Sequence, residues 1–146
     1  MEFQNILVPV SGTKADEEAL KLACRLAKAD KAGVLAVYVI SIERALPLDT
    51  EIEPEVQKGE AILNRMESIA RKENYAIETD LLQAREAGSS IVNEAKEREV
   101  DLILMGVDYK QRFGQFSLGD VVPYVLKNAP CRVLLLQQYG LGEVVT

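Results

Sequence analysis

Five apolar runs recur along the chain, and segments with a helical spacing of apolar positions separate them. Ile6–Val10 (ILVPV), Val34–Ile40 (VLAVYVI), Asp101–Val107 (DLILMGV) and Val133–Leu136 (VLLL) read as buried strands; Ala76–Gln83 reads as a strand with partial alternation. The first helix is predicted from Thr13, a capping residue followed by Asp16, Glu17 and Glu18, with Ala19, Leu20, Ala23, Leu26 and Ala27 on one face and Gly33 as its stop. Glu55–Asn74 repeats the pattern with Val56, Ile62, Leu63, Met66, Ile69 and Ala70, and Ser89–Glu99 with Ile91, Val92 and Ala95. A last helix opens at Gly119 or Asp120 and runs through Asn128, with Pro123 tolerated near its start. Ser41–Pro54 is a polar connection without a firm period, and residues 137–146 form a tail with little hydrophobic pattern.

The predicted order is therefore β-α-β-α-β-α-β-α-β. Strands that are apolar on both faces, with helices between them, imply an open five-stranded parallel sheet flanked by helices on both sides. No linker divides the chain, so residues 1–146 are expected to form one α/β domain. Ligands of such sheets lie at the carboxyl ends of the strands. The loops of interest are then Ser11–Ala15, Ser41–Thr50, Ala84–Ser89 and Val107–Leu118.

Composition narrows the chemistry. The chain has 146 residues, 23 acidic and 17 basic, for a net charge of -6. The acidic balance argues against coating nucleic acid or an anionic membrane. There is no histidine, which excludes a Ser-His-Asp triad, a Cys-His dyad and a histidine zinc site. Cys24 and Cys131 lack CxxC spacing and read as small buried hydrophobes. The first residues carry no basic signal-peptide region, and Val34–Ile40 is too short to span a bilayer. The expectation is a soluble, reduced, cytoplasmic domain without membrane insertion. The acidic groups Glu51/Glu53/Glu55 and Glu94/Glu97/Glu99 read as solvated faces rather than metal ligands.

The Val107–Leu118 loop runs from a buried strand to a helix N-terminus, where oriented N–H groups attract anions. Gly106, Gly114 and Gly119 give it backbone freedom, and Lys110 and Arg112 give it positive charge. Either it cradles a phosphate or it is a solvated turn. Tyr109, Phe113 and Phe116 either stack a base or pin the loop to its own domain or a partner. Ser11, in the turn Pro9–Thr13, either bonds a ligand hydroxyl or satisfies the turn backbone.

Three segments carry a resemblance: Asn5-Ile6-Leu7-Val8-Pro9-Val10-Ser11-Gly12 leading to Ala19-Leu20; Asp101-Leu102-Ile103-Leu104-Met105-Gly106; and Leu118-Gly119-Asp120-Val121-Val122, then Val125-Leu126 and Ala129-Pro130-Cys131-Arg132-Val133-Leu134. From Gln4 to Gln137 the chain resembles the universal stress protein family. The resemblance implies a Rossmann-like, adenine nucleotide alpha hydrolase-like sheet of strand order 3-2-1-4-5. It also implies a homodimer through the last strand, Val133–Leu136, an apolar edge in need of cover. Many members bind ATP through G-x2-G-x9-G-[ST]. Gly106 and Gly119 match the outer glycines, whereas Tyr109 replaces the middle glycine and Asp120 the final hydroxyl. Ser11 stands where the family has an aspartate that faces the nucleotide.

These departures have a physical meaning. Tyr109 puts a bulky Cβ where backbone should approach phosphate. Asp120 puts a carboxylate near the phosphates, and like unit charges about 4 Å apart repel by roughly 1 to 4 kcal/mol. Asp120 is expected instead to cap its own helix. The adenine side of the crevice would be Pro9, Val10, Ser11 and Val39. The phosphate side would use Gly106, Lys110, Arg112, Gly119 and Val121, with Met105, Tyr109 and Asp120 also in contact. The implied function is a regulatory binding protein of the stress response, with a degenerate site for ATP or another adenine nucleotide, with magnesium if bound. One rival is an interaction or transporter-associated module docking through Tyr109–Phe116. Another is a slow ATP hydrolase in which Asp120 acts.

Overall fold

The computed structural model describes residues 2–108, 111–112, 115–116 and 120–138. Strands β1 (Asn5–Pro9), β2 (Gly33–Ser41), β3 (Glu78–Ala84), β4 (Leu102–Asp108) and β7 (Arg132–Gln138) form one sheet, with helices α1 (Lys14–Asp30), α2 (Glu53–Lys72), α3 (Ala87–Glu97) and α4 (Val121–Asn128) between them. Its order is β3-β2-β1-β4-β7 with parallel pairing throughout, which is the expected 3-2-1-4-5 arrangement. Two two-residue strands, β5 (Gln111–Arg112) and β6 (Gln115–Phe116), pair antiparallel within the connection from β4 to α4. No period in the sequence announced that hairpin, because two residues per strand are too few to alternate.

The alternation of side chains across each strand divides the core in two. Ile6, Val8, Val34, Ala36, Tyr38, Ile40, Leu102 and Leu104 face α1 and α2, packing with Leu20, Cys24, Leu63 and Met66. Leu7, Leu35, Val37, Ile103, Met105 and Val107 face α3 and α4, packing with Ile91, Val92, Ala95, Val122 and Val125. Cys24 and Cys131 are both free thiols, and burial pushes the Cys24 thiol up to about 11, which leaves it inert.

Several element ends differ from expectation. The first helix stops at Lys31, in the left-handed region at φ 54, whose N–H donates to the Ala27 carbonyl; Gly33 instead begins β2. Pro54 lies inside the first turn of α2 rather than in the preceding connection, where its missing N–H costs nothing. Asn74 ends up beyond α2 at φ 57, and α3 begins two residues before Ser89.

Glu94 is also not on a solvated face: it is 8% exposed. Arg98, just beyond α3, donates to Glu94 at 3.1 Å and reaches Glu78 and Asp80 on β3 at 3.2 Å each, tying helix to edge strand. Burial, and next the adjacent Asp80, push the Glu94 carboxyl above the usual carboxylate range. On the opposite face Arg65 on α2 makes a two-pronged pair with Glu17 on α1, at 2.8 and 3.1 Å.

Candidate functional site

The strand order reverses between β1 and β4, because β2 and β3 lie to one side of β1 and β4 and β7 to the other. A crevice opens at that point beyond the carboxyl ends of the strands. Its inner cavity, about 250 Å³, is walled by Val10, Val37, Val39, Ile91, Met105 and Val122, with Pro9, Ser11, Asp16, Gly106 and Val121 completing its lining toward β1, β4 and α4. An adjoining cavity of about 520 Å³ shares Ala87 and Val121 with it and adds Ser41, Glu86, Gly88, Asp120 and Tyr124.

Seven candidate residues thus converge on the inner cavity: Pro9, Val10, Ser11, Val39, Met105, Gly106 and Val121. Asp120 lines the outer cavity instead. Tyr109, Lys110 and Gly119 lie outside the described residues, as do Phe113 and Gly114, and Arg112 is described only as backbone in β5. The Tyr109–Phe116 docking surface therefore rests on side chains that are not described.

The turn from β1 into α1 is set by Asp16. Its Oδ2 accepts from the N–H groups of Ser11 at 2.6 Å, Gly12 at 2.9 Å and Thr13 at 3.1 Å, and from the Ser11 hydroxyl at 3.3 Å. The Asp16 N–H in turn donates to Thr13 Oγ1 at 3.1 Å, closing a reciprocal cap. Gly12 sits at φ +103 to make the bend, a conformation that L side chains rarely adopt. Asp16 is only 5% exposed and belongs to the site, yet it was not among the candidates. The signal was present as Thr13-x-x-Asp16, the spacing of a capping box, but it reads as helix punctuation only.

Gly106 has a structural reason that involves no ligand. A Cβ there would collide with the Ala15 carbonyl and come within 2.9 Å of the Asp16 nitrogen, so β4 and the first turn of α1 can meet only if residue 106 lacks a side chain. Asp120 does not cap its helix as expected. It occupies the N-cap position, but its backbone is helical (φ -99, ψ -30) and its side chain makes no capping hydrogen bond. That backbone leaves the carboxylate out of reach of the N–H groups that a cap serves. At the end of β4, Asp108 has a buried Oδ1 without a hydrogen-bond partner among the described residues. No cluster of three potential ligands for a metal occurs among the described residues.

The arrangement offers a largely apolar slot beside polar turns, in a chain without histidine. No described helix is long and apolar enough to cross a membrane.

Known proteins agree with this geometry. The model of the universal stress protein family matches residues 2–137. A universal stress protein of Methanocaldococcus jannaschii, MJ0531, is 30% identical over 142 residues, covering 93% of this chain and 83% of its own. The universal stress protein of Archaeoglobus fulgidus superposes with a TM-score of 0.79 at 22% identity, over 90% of this chain and 97% of that one. A structure of the Archaeoglobus fulgidus protein in complex with dAMP gives 0.74 at 21% identity, over 92% and 98%. The sheet is that of the adenine nucleotide alpha hydrolase-like fold. On its sequence and its architecture together, the chain belongs to the universal stress protein family.

Proposed function

We propose that this protein is a regulatory, non-catalytic member of its family that holds an adenine nucleoside or nucleotide in the crevice between β1 and β4. The observation that carries the reading is the convergence of Pro9, Val10, Ser11, Val39, Met105, Gly106 and Val121 on one cavity at the switch point of the sheet. The dAMP complex of a related fold supports the same ligand class. The departures from the ATP motif, Tyr109, Asp120 and Ser11, make the site degenerate toward ATP, and magnesium has no dedicated ligand set among the described residues. Its setting is a cytoplasmic stress response.

Calorimetric titration with AMP tests the ligand class. The wild type binds, and Val39→Trp, which fills a half-buried cavity wall, abolishes binding while the thermal midpoint holds. Absence of heat from the wild type at millimolar AMP overturns the reading. Phosphate release from ATP should stay at the level of buffer, and release that Asp120→Ala removes would overturn the non-catalytic reading.

The same reading includes a homodimer through β7. That strand pairs with β4 on one side and has no second strand partner among the described residues, with Leu134 43% and Leu135 37% exposed. Tyr124 and Leu126 of α4 add exposed apolar surface near this end of the sheet. Sedimentation should find a dimer for the wild type and a monomer for Leu134→Asp.

A further inference from the structure

We infer that the crevice takes an uncharged adenine nucleoside in preference to any nucleotide, and that each added phosphate weakens binding. The inference rests on the adenine reading above and concerns the charge of that ligand.

It comes from the helix ends. In a parallel α/β sheet the helix N-termini point toward the ligand crevice, and their free N–H groups and positive dipole ends attract anions. Three such ends border this crevice, and each carries a carboxylate of its own. At α1, the N–H groups of Ser11, Gly12 and Thr13 all donate to Asp16 Oδ2, so the anion seat is filled from within the chain. At α3, the N-cap is Glu86 in an extended conformation, with no side-chain cap hydrogen bond. At α4, the N-cap is Asp120, again without one. Glu86 and Asp120 are exposed and line the same outer cavity.

Among their described residues the two cavities contain Asp16, Glu86 and Asp120 and no lysine or arginine. Arg85, the nearest cation in sequence, turns away and donates to the carbonyls of Ile42, Glu43 and Leu46. A ligand whose base occupies the apolar inner cavity extends through the shared wall of Ala87 and Val121 into the outer one. There a phosphate meets the Glu86 and Asp120 carboxylates beside the helix ends, and such like-charge contacts are repulsive at every dielectric. A ribose hydroxyl, by contrast, donates to a carboxylate.

The test is a titration of the wild-type chain with adenosine, AMP and ATP, the last with and without magnesium, at constant low ionic strength. Adenosine should bind at least tenfold more tightly than ATP, with AMP between them. Glu86→Gln with Asp120→Asn should narrow the gap several-fold, raising ATP affinity and making adenosine no tighter. Binding of ATP as tight as adenosine, with or without magnesium, overturns the inference and leaves the adenine site standing. Binding of none of these compounds overturns both.

Discussion

Two turns face each other across the crevice, and both bring a carboxylate to a helix N-terminus. In the β1–α1 turn, Asp16 is buried and one of its oxygens gathers four donors. In the connection from β4 to α4, Asp120 is exposed and caps nothing. The same functional group is structural in one place and idle in the other. The difference lies in position along the helix. Asp16 is three residues past the cap, where its side chain can reach back over the turn, whereas Asp120 is the cap residue itself with a helical backbone. An acid that holds the fold together is no record of a ligand. An acid that stands exposed at a helix end, making no capping hydrogen bond, bears on what the crevice admits.

That contrast predicts a ranked series. Asp16→Ala should have the largest effect, a loss of about 2–4 kcal/mol in urea denaturation, because three backbone N–H groups lose a charged acceptor at a buried helix start. Gly106→Ala should follow at about 1–3 kcal/mol, the usual range for overpacking, since the atom it meets is backbone of α1. If Gly106→Ala kept full stability yet lost ligand binding, the glycine would serve the ligand rather than the packing.

Glu94→Gln should act more weakly and in the opposite direction. The native carboxyl holds its proton above the pH at which the unfolded chain releases it. The wild type therefore loses stability as pH rises through the interval between the unfolded and folded values. The variant should be the more stable of the two at neutral pH, and its advantage should vanish in acid below that interval, as read from urea midpoints at both. Last, Asp120→Asn should change stability by no more than about 0.5 kcal/mol. A cost comparable to that of Asp16→Ala would erase the distinction between the two turns.

Much of the fold was legible because every strand of the sheet but β3 carries an apolar run on both faces and each helix an apolar stripe on one. Runs such as ILVPV and VLAVYVI can be buried only between two layers. Element ends were less so: the first helix stops at Lys31 in a left-handed conformation that glycine usually supplies, so Gly33 was the more natural stop and yet begins a strand. The inner cavity was legible from the strand ends, as Pro9, Val39 and Met105 attest. Two roles were not. Gly106 reads as a ligand glycine in one dimension, and only the approach of α1 to β4 reveals its packing role. Glu94 sits in an acidic run that resembles a solvated face, and its burial depends on Arg98 and on β3, 14 to 16 residues earlier in the chain.

The central claim is that an adenine nucleoside occupies the crevice between β1 and β4, and methyl NMR of the wild-type chain during titration with adenosine tests it most directly. The account predicts saturable shifts concentrated on Val10, Val39, Met105 and Val121, with the methyls of Leu134 and Leu135 unmoved. Shifts confined to β7, or none at saturating adenosine, would contradict it.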